Sequence, residues 1–260
     1  MMQRYNLADL SWTVSGWTPY LWQVQRSLET GKAAGAEVPP IPAPVPGSVQ
    51  QALRLAGLLP DWNVGLQARD CEWVENRHWV YTVQLPDAWC AGGRPVRLRC
   101  LGLDYNGWVL LNGRQIGAFM GALQPHSFEL APALRAAGNV LHIVFALPPR
   151  WLGQFGYTST IVEWKPRFNY TWDWTVRLVQ LGIWDALFLE VGDDWQFGEL
   201  ACTTTLDLAS GAGTIHLRAP LPPAARLRLA LLDGAHVVQE AEYPALAVRA
   251  GIAWAGLPVA

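Results

Sequence analysis

The sequence has no basic block. Nineteen lysines and arginines stand against 21 aspartates and glutamates, a formal net charge of −2. The chain therefore lacks the concentrated positive field that nucleic acid demands, and no nucleic-acid partner is expected. It also lacks an unbroken apolar run long enough to cross a bilayer, because prolines interrupt the apolar stretch at 33–46; no membrane partner is expected. The first ten residues carry no apolar core of a secretory signal, so a cytoplasmic location is the expectation. Charged residues are few, 15% against 51% hydrophobic, a balance that favours a packed core over disorder.

Cysteine is sparse too. Cys71, Cys90, Cys100 and Cys202 form no Cys-x-x-Cys pair, and the five histidines are scattered. No metal site is expected from such spacing, and no cofactor. Cys100 falls in an apolar strand pattern and reads as a buried free thiol.

What the chain does have is tryptophan, 15 in 260 residues. Four fall in one stretch, Trp164-Lys-Pro-Arg-Phe-Asn-Tyr-Thr-Trp-Asp-Trp-Thr-Val-Arg177 followed by Leu181-Gly-Ile-Trp184. Indole faces stack on sugar rings, while carboxylates and guanidinium groups hydrogen-bond sugar hydroxyls. The chain is a candidate carbohydrate reader on this ground alone.

The rest of the pattern is mostly β. Residues 1–45 read as irregular, with Trp12, Trp17, Tyr20 and Trp22 pinning the segment onto a sheet and Pro39–Pro46 extended. A short helix follows, with Ser48 and Gln51 as a capping box, Val49, Ala52, Leu53 and Ala56 on one face, and Gly57 as the stop. Alternating segments at 79–85 and 95–101 predict strands. So do 127–130, 140–147 and a single late strand at 182–190, with a helical turn at 131–137. Residues 108–116 predict a hairpin turning at Asn112-Gly113. A boundary is expected near Gly192–Trp195, beyond which 201–208, 214–219, 226–232, 237–241 and 252–254 read as strands of a second sandwich. The fold class expected is all-β, one sandwich over 1–192 and a smaller, incomplete one over 193–260.

Three stretches, taken in order, carry a family resemblance. The first is Pro46-Gly-Ser-Val-Gln-Gln-Ala-Leu-Arg-Leu-Ala-Gly-Leu-Leu-Pro-Asp61, running on through Cys71-Glu-Trp-Val-Glu-Asn-Arg-His-Trp-Val-Tyr81. The second is Leu101-Gly-Leu-Asp-Tyr-Asn-Gly-Trp-Val-Leu-Leu-Asn-Gly113, and the third is the Trp-Asp-Trp segment up to Trp184. Together they resemble the N-terminal part of glycoside hydrolase family 2 enzymes, above all the β-mannosidase branch. The resemblance implies a galactose-binding-like jelly-roll sandwich, the sugar-binding domain, followed by an immunoglobulin-like sandwich and then a TIM barrel. The family's acid/base and nucleophile are two glutamates on that barrel, the first preceded by asparagine. This sequence contains no Asn-Glu dipeptide and no length for a barrel, which needs ~200 residues or more. No catalytic residue is assigned to it, and the barrel becomes an expected partner.

The resemblance also places Trp172 and Asp173 on the terminal sugar, a β-mannoside-type glycone, with β-galactosides or β-glucuronides as alternatives. Arg177 joins them as a candidate. The family commonly has Gly before Trp-Asp-Trp and Gly-Pro after it; here those positions are Thr171 and Thr175-Val176, and Trp164 stands where arginine is common before Lys-Pro. Each candidate has a structural alternative. Trp172 and Trp174 fit a core equally well, and Asp173 can cap a turn or pair with Arg177 or Arg167. Arg177 can be an ion-pair partner, and Glu72 and Glu75 fit surface pairs with Arg69 or Arg77. An extended 170–175 would put Tyr170, Trp172 and Trp174 on one face and Asp173 on the other. Surfaces shaped for an absent barrel predict self-association into a homo-oligomer through 151–174 or the second sandwich. A free-standing carbohydrate-binding module and a ligand-free structural sandwich remain the competing readings.

Overall fold

The computed structural model describes residues 2–33, 35–150, 152, 162–170, 172–192, 201–220, 227–243, 248–249 and 252–259. The chain divides into two compact units, Met1–Asp193 and Asp194–Ala260.

The first unit opens with β1 (Gln3–Asn6) and β2 (Trp12–Trp17), the one-turn helices α1 (Leu21–Val24) and α2 (Ser27–Thr30), and β3 (Val38–Ala43). Next come β4 (Gly47–Ser48), α3 (Val49–Leu55), a 3-10 helix (Gln67–Asn76), β5 (His78–Gln84), β6 (Val96–Cys100) and β7 (Leu103–Asp104). It closes with β8 (Asn106–Leu111), β9 (Arg114–Met120), β10 (His126–Glu129), β11 (Val140–Phe145), β12 (Gly182–Ile183) and β13 (Leu187–Val191). A four-stranded sheet runs β1-β13-β6-β10, a six-stranded sheet β3-β2-β5-β11-β8-β9, and a three-stranded sheet β4-β12-β7. One core cluster joins the sheets, with Leu98 and Leu189 from the first, Val14, Tyr81 and Ile143 from the second, and Leu103 and Ile183 from the third. This is the jelly-roll sandwich, all-β and antiparallel.

Local chemistry accounts for many of the elements. β6 buries Val96, Leu98 and Cys100 and turns Arg97 and Arg99 outward, as a strand with one solvated face does. The β8–β9 turn holds Asn112 at φ 55° and Gly113 at φ 81°, the two positive values that a two-residue hairpin needs. The Ser48 hydroxyl accepts from the Gln51 backbone N–H at 3.1 Å, capping α3. Val49, Ala52 and Leu53 are buried, while Ala56, expected on that face, is the exposed C-cap. The proline-rich β3 lies at the edge of its sheet, where missing N–H donors do least harm.

Two expectations need correction. Residues 1–45 are not irregular, because β1, β2 and β3 lie within them. β2 is buried at five of its six positions, so no alternation shows in its sequence. Its outer face, with Trp17, packs against Trp22, Val80, Leu110 and Val144 as a second small cluster. Nor is 182–190 one strand. The Trp184 indole N–H donates to the Ala122 carbonyl at 2.7 Å and Asp185 Oδ1 accepts from the Ala186 N–H at 2.6 Å, which breaks the run and sends β12 and β13 to different sheets. Gly102 makes room for that indole: a Cβ there would lie 2.4 Å from Trp184.

The second unit holds β14 (Ala201–Leu206), β15 (Gly213–Pro220), β16 (Leu227–Asp233), β17 (His236–Tyr243), β18 (Val248–Arg249) and β19 (Ile252–Val259). They form an antiparallel sheet β14-β15-β19-β18 and an antiparallel pair β16-β17.

Candidate functional site

The Trp-Asp-Trp segment sits on a loop whose base is held from three directions. Lys165 is fully buried. Its ammonium lies 2.5 Å from Asp104 Oδ1 and donates to the Gln180 carbonyl at 2.7 Å. Asp104 ends β7, so this pair ties the loop to the three-stranded sheet. Burial raises the Asp104 carboxyl and lowers the Lys165 ammonium from their ordinary values, while their mutual attraction opposes both shifts. On the other side of the loop, Arg177 donates to both carboxylate oxygens of Glu75, at 2.5 and 2.7 Å. Those hydrogen bonds hold its guanidinium above its ordinary value. A bidentate pair of this kind fixes geometry as well as adding energy. Third, Gln50 of α3 donates to the Val179 carbonyl at 2.6 Å. Tyr170, with its hydroxyl donating to the Pro149 carbonyl at 2.5 Å, packs with Leu152 and Val179 in a small buried cluster.

Between these anchors the chain closes on itself. The Leu178 N–H donates to the Asn169 carbonyl at 2.9 Å, and the Thr175 hydroxyl donates to the Phe168 carbonyl at 3.1 Å. The tip therefore carries Trp172, Asp173 and Trp174. Trp172 is 44% exposed and Trp174 81% exposed, and Asp173 is exposed as well.

This placement changes several expectations. The core alternative for Trp172 and Trp174 is overturned, since both are open to solvent. Among the described residues of 170–175 no strand forms, and a bend lies at 173–174 just after the 3-10 turn at Arg167–Asn169. Trp172 and Asp173 are thus both accessible without a bulge; Thr171 lies outside the described residues. Asp173 forms no pair with Arg177 or Arg167 among the described residues, and Glu75 takes Arg177 instead of Arg69 or Arg77. Arg77 pairs with Glu37 at 2.5 Å. Trp164 is exposed, Trp79 is core, and Trp73 and Trp108 are half-buried. Sequence reasoning missed Glu75, Lys165 and Gln50, whose partners lie 102, 61 and 129 residues away. The available hint was that Gln50 and Glu75 fall inside the first resemblance stretch, Asp104 inside the second and Lys165 inside the third.

An exposed indole beside an exposed carboxylate can stack on a pyranose ring and accept from its hydroxyls. Residues 22–185 match the model of the glycosyl hydrolase 2 galactose-binding domain-like family. The chain belongs to that family. Among curated relatives, beta-mannosidase B of Aspergillus terreus is 31% identical over 68% of this chain and 24% of its own length. The enzyme of the same name from Thermothelomyces thermophilus is 28% identical over 75% and 24%. The chain thus spans about a quarter of the length of these relatives. Among solved structures, the beta-D-mannosidase of Dictyoglomus thermophilum covers 99% of the chain with 31% of its own, at TM-score 0.73 and 21% identity. A β-glucuronidase of Ruminococcus gnavus covers 100% with 40% of its own, at TM-score 0.64 and 15% identity. Both share the fold of this glycosyl hydrolase 2 domain.

Proposed function

We propose that this chain is the non-catalytic, sugar-facing region of a β-mannosidase-like glycoside hydrolase, in which a separate barrel supplies the two catalytic carboxylates. The observation that carries the reading is the loop tip: Trp172 and Asp173 are both open to solvent while the base beneath them is fixed. In this reading Trp172 stacks on the terminal β-mannoside, Asp173 accepts from its hydroxyls, and Arg177, with its fork taken by Glu75, orients the loop rather than touching sugar. The unit from Asp194 is proposed as the beginning of an immunoglobulin-like sandwich. A cytoplasmic location belongs to the same proposal; the four cysteines are free thiols, which a reducing compartment preserves.

The test is an assay of the chain with nitrophenyl β-mannoside and its galactoside and glucuronide counterparts, with tryptophan fluorescence read in parallel. The expected result is no turnover and mannoside binding no tighter than millimolar, weakened further in Trp172→Ala and Asp173→Ala. Turnover above background overturns the non-catalytic reading. Sub-millimolar binding by the chain alone favours a free-standing carbohydrate-binding module. Binding unchanged in both variants removes the loop tip from the site.

A further inference from the structure

The outer face of the six-stranded sheet is divided. One part is filled by the cluster around Trp17 and Trp22. The other is open: a cleft of about 440 Å³ lies between the sheet and α2, within the size range of small-molecule sites. It shares no residue with the Trp172 loop. Its floor is one cross-strand row, in which Thr13 of β2 faces Thr82 of β5 and Thr82 faces His142 of β11.

His142 is buried, yet only half of its hydrogen-bonding capacity is used. Its Nδ1 lies 2.9 Å from Thr82 Oγ1, and Nε2 has no partner among the described residues. Nε2 is not among the buried atoms left without a partner, which among the described residues are the Tyr81 hydroxyl and Asn106 Oδ1, so it stays open to a ligand on the side of the ring that lines the cleft. Burial pushes the imidazole down to about 4, so at neutral pH it offers a hydrogen bond rather than a charge. The rim is different. Lys32 and Arg135 line it, both exposed, and neither forms an ion pair among the described residues. The acidic residue on the described lining, Glu29, accepts from Arg26 Nε at 2.6 Å and is neutralised by it. Trp17 lines the cleft but is only 1% exposed, so it offers almost no indole face for stacking.

A neutral, hydroxyl-matching floor under a positive rim is complementary to a small polyol that carries a carboxylate. We propose that this cleft is a second binding site, for a sugar acid held by Thr13, Thr82 and His142 through its hydroxyls and by Lys32 and Arg135 through its carboxylate. The proposal is independent of the function assigned to the Trp172 loop. The probe is D-galacturonate titrated into the isotope-labelled chain, with methyl β-D-mannoside as the neutral arm. Saturable amide shifts at Thr13, Thr82 and His142 are expected with galacturonate. Lys32→Glu and Arg135→Glu, both surface changes that leave the fold intact, each weaken it by about fivefold, the scale of one partly exposed charged contact. Any of four results overturns it: no saturable shifts at tens of millimolar galacturonate, an equal response to the mannoside, unchanged affinity in both charge-reversed variants, or shifts that vanish in Trp172→Ala.

Discussion

Replacing Lys165 with methionine is the sharpest probe of how the loop is held. The native ammonium is fully buried and Asp104 is about nine-tenths buried, with 2.5 Å between them. Methionine keeps most of the side-chain volume but removes the charge, so Asp104 is left desolvated without a cation and the Gln180 carbonyl loses its donor. Breaking one side of a buried pair costs about 3–5 kcal/mol, a large share of the ~5–15 kcal/mol that holds a typical domain. Removing both charges should cost less, because no uncompensated charge is then left buried. Urea denaturation of the wild type, Lys165→Met, Asp104→Asn and the double variant forms a complete cycle. The expected outcome is a deficit of about 3–5 kcal/mol in Lys165→Met at pH 7 that the double variant partly recovers. The sign with pH is also fixed. Burial already raises the Asp104 carboxyl, and without Lys165 it rises further, so the folded variant binds a proton more tightly than the unfolded chain. Its deficit must therefore shrink as pH falls through the folded-state value. A deficit below about 1 kcal/mol at pH 7, the scale of a surface pair, or a double variant no better than the single, would refute the reasoning.

Ser48→Ala removes the acceptor for the Gln51 N–H and is expected to cost about 1 kcal/mol in urea denaturation; an unchanged midpoint would show the cap is idle. His78 and His142 are held down to about 4 by burial, below the ordinary 6.5. Their contribution is complete above pH 6.5 and is lost as pH falls toward 4, up to about 3 kcal/mol each. Imidazole titration by NMR with midpoints at or above 6 would contradict this. The exposed indoles of Trp164 and Trp174 and the exposed ring of Phe168 predict concentration-dependent association, and light scattering that reports a strict monomer at high concentration would count against it.

The elements legible in the sequence are those whose cause is local. The Asn112-Gly113 turn, the Ser48 cap and the alternation of Val96, Leu98 and Cys100 each need only a few neighbouring residues to be read. β2 was not legible because Trp17 faces a second small core, and a strand buried on both faces loses its period of two. The single strand expected at 182–190 failed for a different reason. Trp184 leaves the run to reach Ala122, a partner 62 residues away. At the candidate site, Trp172, Asp173 and Arg177 could be nominated from residue type and resemblance. Which of them faces solvent could not, because the answer is set by Glu75, Asp104 and Gln50.

The distribution of those anchors bears on why the tip is exposed at all. Gln50, Glu75 and Asp104 act on Val179, Arg177 and Lys165, which flank residues 172–174 in sequence on both sides. A loop fixed at its base loses little further backbone freedom when its tip meets a ligand, so more of the contact energy survives as affinity. Leaving indole surface in water has the opposite sign, at about 25 cal/mol per Å² of apolar area not buried. For Trp172 and Trp174 that term works against the chain in isolation and is recovered only when another surface covers them. The base is built for the stability of this polypeptide and the tip is not. That division is what a sugar, or a neighbouring domain presenting one, would exploit. Substitutions at Trp174, 81% exposed, should therefore leave the fold within about 0.5 kcal/mol of wild type while changing what the loop can hold.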